Sequence, residues 1–132
     1  YNVGRLDQWS SGLLLFTNDG ELARRLSHPS CGIEKEYVVR SDDMLPPEFF
    51  RDFRRGIEVE GVLYKASRLE RLGEREASIV LVEGKNREIR RLFAAIGHEV
   101  TKLKRISFGE LKLGELQPGE FRRLQHDEIP RY

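Results

Sequence analysis

Apolar positions change their period several times along the chain, and each change predicts an element. Leu13, Leu14, Leu15 and Phe16 form a continuous run between Ser10-Ser11-Gly12 and Thr17-Asn18-Asp19, the pattern of a short strand buried on both faces. Thr17, Asn18 and Asp19 supply capping oxygens ahead of Leu22, Ala23 and Leu26, whose spacing fits one face of a helix that ends at His28-Pro29-Ser30. From Ile33 to Arg40 the period is two, with Ile33, Lys35, Tyr37 and Val39 on one side and Glu34, Glu36, Val38 and Arg40 on the other. That strand aims Lys35 and Tyr37 the same way. Pro46-Pro47 then opens a short amphipathic helix carrying Phe49, Phe50 and Phe53, closed by Gly56.

Between Ile57 and Glu83 no helical period survives. Val62, Tyr64 and Ala66, then Ala77, Ile79 and Leu81, alternate on either side of Gly73, which predicts one long antiparallel hairpin. The strongest helix signal follows: Asn86 as N-cap, Ile89, Leu92, Phe93 and Ile96 on one face, and Gly97 as the C-terminal stop. Arg87, Arg90, Arg91 and Ala94 fall on the opposite side. Val100–Phe108, Leu111–Leu113 and Phe121–Leu124 read as further strands separated by Gly109, Gly114 and Pro118-Gly119. The sum is a strand-rich α+β domain with two or three helices.

Composition narrows the function more than the fold. The 132 residues suit one domain. A net charge of +1 conceals 23 Lys and Arg against 22 Asp and Glu, so overall charge does not announce a nucleic-acid partner and local clusters must. Such clusters occur at Arg24-Arg25, Arg51 to Arg55, Lys85 to Arg91, Lys102 to Arg105 and Arg122-Arg123; taken singly, each is what a solvated face looks like. The single cysteine, Cys31, rules out an internal disulfide and a structural zinc site and suits a reducing cytosol. His28, His98 and His126 lack metal-ligand spacing. No apolar run reaches the roughly 18 residues of a membrane span, so a soluble cytoplasmic protein is expected.

Asp7 is the most informative candidate for chemistry. It is a single carboxylate two residues after Arg5, displayed at a strand edge ahead of a small-residue turn. Arg5-Leu6-Asp7, followed by Ser11-Gly12-Leu13-Leu14-Leu15 and Asn18-Asp19-Gly20, resembles the opening motif of the RsuA/RluB-type ribosomal RNA pseudouridine synthases. Three more segments match that family in order: Lys35-Glu36-Tyr37, the basic helix motif Gly84 to Phe93, and Leu103-Lys104-Arg105 with Gly109. The resemblance spans nearly the whole chain. It implies the pseudouridine synthase catalytic fold, a mixed and mostly antiparallel sheet flanked by two or three helices. It also implies that residues 1–132 are a catalytic domain cut at its N-terminus, since Tyr1 opens the chain and relatives carry first strands and an S4-like RNA-binding domain ahead of this motif.

The same resemblance assigns roles. Asp7 acts at C1′ or C2′ of a uridine ribose, as nucleophile or as base, and either route needs it ionised. Arg90 is the cation that keeps it so. Tyr37 lies against the target base and can help move the C5 proton; by strand pattern alone it is a core or sheet-surface residue. Leu103 closes the pocket, Arg5 fills the space the flipped base vacates, Lys35 neighbours Tyr37, and Lys85, Arg87, Arg91, Lys104 and Arg105 contact phosphates. No cofactor and no metal are implied, the partner is ribosomal RNA, and a monomer is expected. Arg87-Glu88, where some relatives have His-Gln, favours the large-subunit 23S branch. Two other classes compete: a non-catalytic RNA-binding module, carried by the basic clusters, and a glycosidase, which usually needs a second carboxyl about 5 to 9.5 Å away, for which no second acid stands out beside a plausible catalytic neighbour.

Overall fold

The computed structural model describes residues 1–3, 6, 10–28, 31–82 and 86–129, with the side chains of Asn86, Arg87 and His126 excepted. In chain order the elements are β1 (Asn2–Val3), β2 (Ser10–Gly12), β3 (Leu15–Phe16), α1 (Gly20–Ser27), β4 (Lys35–Ser41), α2 (Pro47–Arg55), β5 (Ile57–Val59) and β6 (Val62–Tyr64). They continue with β7 (Arg68–Gly73), β8 (Glu76–Leu81), α3 (Asn86–Ala95), β9 (Val100–Phe108), β10 (Leu111–Lys112) and a 3₁₀ turn at His126–Glu128. A six-stranded sheet runs β10-β9-β4-β8-β7, antiparallel throughout except that β2 adds to β9 in parallel. The α+β class and the mixed, mostly antiparallel sheet with three helices are as the sequence implies.

Two apolar clusters organise the molecule. The larger packs Tyr37 and Val39 of β4, Ala77 and Ile79 of β8 and Leu103 of β9 beneath Phe49, Phe50 and Phe53 of α2 and Ile89, Leu92 and Phe93 of α3. Phe49 is its hinge, with ring centroids 5.3 Å from Phe50 and 5.2 Å from Phe93 in edge-on contacts. The smaller gathers Val3, Leu15, Ala23, Leu26, Ile33, Phe108 and Leu111 around α1. Asp19 caps α1 by accepting from Glu21 N and Leu22 N, as expected. Gly97, at φ +81°, stops α3 while His98 N donates to Phe93 O.

Three predicted elements differ. Leu13–Phe16 is not one strand: Gly12 turns the chain at φ +109°, Leu13 N bonds Arg105 O, and only Leu15–Phe16 forms β3, paired to β1 with Phe16 exposed. The long hairpin is two. Glu60 and Gly61 both have positive φ, the requirement of a tight hairpin turn, so β5 and β6 pair with each other in a separate two-stranded sheet. β7 and β8 then form the hairpin that joins the main sheet. Phe121–Leu124 is not a strand; its surroundings bond locally, with Arg122 gripping both oxygens of Glu128 and Gln125 N donating to that same carboxylate. Phe121 is left 86% exposed.

Candidate active site

The sequence-predicted site residues fall into three groups. Asp7, Arg5 and Lys85 lie outside the described residues, as does the side chain of Arg87. Tyr37, Lys35, Leu103 and Arg105 come together where the two apolar clusters meet. Arg90, Arg91 and Lys104 lie around that place in different settings.

The meeting point follows from strand register. β4 alternates, so Tyr37 and Val39 enter the larger cluster, and across the sheet Tyr37 stands opposite Arg105 while Val39 stands opposite Leu103. β2 lies on the other side of β9 at the same level, Ser10 opposite Leu103 and Gly12 opposite Arg105. The strand that begins three residues after Asp7 is thus paired to the β9 residues that face Tyr37.

Arg105 departs from the expected role. A phosphate contact needs a surface cation, and Arg105 is 1% exposed. Its Nε donates to Leu13 O at 2.8 Å and its guanidinium carbon lies 5.6 Å from the centre of the Phe108 ring. The Lys35 ammonium sits 5.4 Å from that ring and donates to Val82 O at 3.3 Å. Burial pulls Lys35 below the ordinary lysine value, and Arg105 adds to the fall while Cys31 opposes it. Among the described residues no carboxylate pairs with either cation, so this buried corner favours an incoming negative charge.

Tyr37 is completely covered, and among the described residues neither its hydroxyl nor Nη2 of Arg105 makes a hydrogen bond of ordinary geometry. Burial pushes the Tyr37 hydroxyl above the ordinary tyrosine range, the neighbouring Arg105 guanidinium pulls it back, and Glu88 adds to the rise. With ring and hydroxyl both enclosed, Tyr37 presents no open stacking face in this structure. Leu103 is likewise a core side chain.

On α3, Arg90 is half-buried and Arg91 exposed, one residue and two residues beyond the buried Ile89. Lys104 points the other way through the sheet from Leu103 and Arg105. It lines, with Lys102, Lys112, Arg122 and Arg123, a broad cavity of about 1020 Å³ under the C-terminal segment. Neither Tyr37, Arg105 nor Arg90 lines that cavity. Sequence reading missed the seam roles of Arg105, Glu88 and Phe108; the signal for Arg105 was its spacing of two from Leu103, which puts both on one face of a strand. Among the described residues no group of His, Cys, Asp and Glu could hold a metal ion, and no helix is long and apolar enough to cross a membrane.

The family model described as RNA pseudouridylate synthase matches residues 1–95. The chain is 44% identical to the ribosomal large subunit pseudouridine synthase B of Bacillus subtilis (strain 168), over 99% of this chain and 56% of that protein. It is 40% identical to an uncharacterized RNA pseudouridine synthase of Aquifex aeolicus (strain VF5), over 98% of this chain and 54% of the relative. A crystal structure of a pseudouridylate synthase superposes with a TM-score of 0.90 at 33% identity, covering 98% of this chain and 57% of that one. The chain therefore spans about half the length of the relatives it matches.

Proposed function

Because this chain belongs to the RNA pseudouridylate synthase family, we propose that residues 1–132 form the catalytic domain of an enzyme that converts a specific uridine of ribosomal RNA to pseudouridine. The match over residues 1–95, which contains Asp7, Tyr37 and Arg90, carries the reading. The relative's large-subunit name and the Arg87-Glu88 variant support 23S RNA as substrate.

The reaction breaks the N1–C1′ bond, turns the uracil over and forms C5–C1′; N1 gains a proton, C5 loses one, and no electrons are exchanged. Side chains suffice for such chemistry. Asp7, ionised beside the Arg90 guanidinium, attacks C1′ or removes the C2′ proton. The buried positive corner of Arg105 and Lys35 favours charge of the sign Asp7 carries. By the family resemblance, the Tyr37 hydroxyl helps move the C5 proton. Arg5, Lys85, Arg87, Arg91 and Lys104 hold the distorted RNA, at a cost of a few kcal/mol for unstacking the base. On this reading the protein works in the cytoplasm as a monomer, without metal or cofactor.

The test maps pseudouridine in ribosomal RNA from cells carrying the intact gene, lacking it, or carrying the whole protein with Asp7→Asn. One or more sites should vanish with the gene and stay absent with Asp7→Asn. RNA affinity with an unchanged map would reject the enzyme and leave a non-catalytic RNA-binding module; a map restored by Asp7→Asn would reject the aspartate.

A further inference from the structure

Buried polar side chains of the main sheet are mostly accounted for. Ser41 Oγ meets His98 Nδ1 at 2.9 Å, Ser78 donates to Glu36 at 3.1 Å, and Lys35 reaches the Val82 carbonyl. Among the described residues two buried atoms lack a hydrogen bond of ordinary geometry, Tyr37 Oη and Arg105 Nη2, and they belong to residues directly opposite each other on β4 and β9. Arg105 is also tied at its other end, through Nε, to the carbonyl of Leu13, the residue that follows β2. Arg105 thus ties the residue that follows β2 to the level of β4 that carries Tyr37.

We propose that Arg105 is a positioning residue of the isomerisation: anchored on the Leu13 carbonyl, its guanidinium fixes the Tyr37 hydroxyl relative to the strand that follows Asp7. The proposal rests on the functional reading above. Being planar, the guanidinium can hold the carbonyl and face the hydroxyl at once, which a lysine ammonium on a flexible stem cannot. Its burial excludes a competing role at the RNA surface. Among the described residues the charged groups facing Tyr37 are Arg105 from β9 and Glu88 from α3, with Lys35 on the same side of β4; β8 offers Ile79, and α2 puts only phenylalanines into this cluster. Arg105 opposes the rise that burial and Glu88 impose on the Tyr37 hydroxyl, so its removal has a signature distinct from a packing defect.

The experiment uses the whole protein with Arg105→Gln and Arg105→Lys, assayed for kcat and KM on ribosomal RNA. Tyrosinate absorbance is followed against pH, with Tyr37→Phe as the blank that isolates Tyr37. Arg105→Gln should lower kcat roughly 10- to 100-fold, as a small misplacement does, while KM stays within about threefold. Tyr37 should then ionise at higher pH than in the wild type. Arg105→Lys should return the titration part of the way but not kcat. Unchanged kcat in folded Arg105→Gln, an unmoved Tyr37 titration, or failure of both variants to fold would each overturn the proposal. A wild-type protein that converts no uridine counts against the functional reading instead, because the titration reads the Arg105–Tyr37 link independently of turnover.

Discussion

Gly12 and Arg105 approach so closely across β2 and β9 that a Cβ on Gly12 would lie 2.1 Å from the Arg105 carbonyl oxygen and 2.6 Å from its nitrogen. Gly12 also sits at φ +109°, where an L side chain is strained whatever the space. The approach lets the parallel pairing of Ser10–Gly12 with Leu103–Arg105 end in two further bonds, Leu13 N to Arg105 O and Arg105 Nε to Leu13 O, both 2.8 Å. Gly12→Ala cannot be relieved by moving a flexible side chain, since the obstacle is backbone. It should destabilise the domain by about 3 kcal/mol or more, read as a fall in the denaturation midpoint. A thermal or chemical melt equal to the wild type would show that β2 can detach without cost.

Tyr37 should show a conflict between stability and function. The Tyr37 hydroxyl faces Arg105 without a hydrogen bond of ordinary geometry among the described residues, and a buried hydroxyl so placed costs about 1 to 3 kcal/mol relative to one fully bonded, so an apolar replacement of the same shape removes a penalty. Tyr37→Phe is expected to leave the melting midpoint equal or higher while turnover falls. Denaturant melts and single-turnover assays on the whole protein give the two numbers. A clear loss of stability would mean that the Arg105 guanidinium gives the hydroxyl a full hydrogen bond in solution.

How far the sequence foretold this geometry depends on whether a local rule competed with a tertiary one. β9 was legible from end to end, Val100–Phe108, because its alternation is long and its ends are marked by glycine. α2 and the Gly97 stop of α3 were legible for the same reason, with proline and glycine where helix ends demand them. The run Leu13–Phe16 misled because hydrophobicity reports burial, not partner; Gly12, which reads as a turn, decides that β2 joins β9 and β3 joins β1. Glu60 misled more subtly, as a non-glycine residue at φ +51° that closes the small hairpin with Gly61. Within the site, Tyr37 and Lys35 were correctly placed on one side of β4. Arg105 was read from its charge, which says surface, although its register with Leu103 says interior. When the two disagree, a partner for the buried cation has to be sought, and here the Leu13 carbonyl, a backbone group that composition cannot reveal, provides part of it.

The far end of β4 carries a pH-dependent clip. Asp42 accepts the Glu99 amide at 2.9 Å, and Ser41 Oγ joins His98, so the strand end is fastened to the turn between α3 and β9. Ser41 and Asp42 both address Nδ1 of His98, an arrangement that fastens rather than activates a hydroxyl. The Asp42 carboxyl is held below its ordinary 3.8 first by the Glu99 N–H; desolvation opposes this, and the Ser41 hydroxyl, its own N–H and His98 add smaller downward pulls. A carboxyl lowered by folding contributes stability above its unfolded value and loses it as pH falls through the folded one. Asp42→Ala should therefore melt earlier than the wild type at neutral pH, with the gap closing once pH is well below 3.8. A gap that persists undiminished in acid would assign the effect to packing.

Lys104 and Arg105 are adjacent in sequence and opposite in setting, which makes them a matched pair for separating RNA binding from chemistry. Lys104 faces away from Tyr37, beside Lys102 and the basic residues Arg122 and Arg123 that rim the wide cavity under the C-terminal segment. If it meets a phosphate there, its contribution is counterion release, sequence-independent and weakened by salt. Lys104→Ala in the whole protein should raise KM and reduce the slope of log affinity against log salt by about 0.7 to 0.9, the amount for one phosphate contact. Arg105, enclosed at the seam, should leave that slope as it is and move kcat. Measuring binding at three salt concentrations for Lys104→Ala and the charge-removing Arg105→Gln decides the matter: a slope altered by Arg105→Gln would return that residue to the RNA surface, and a slope unaltered by Lys104→Ala would remove Lys104 from it.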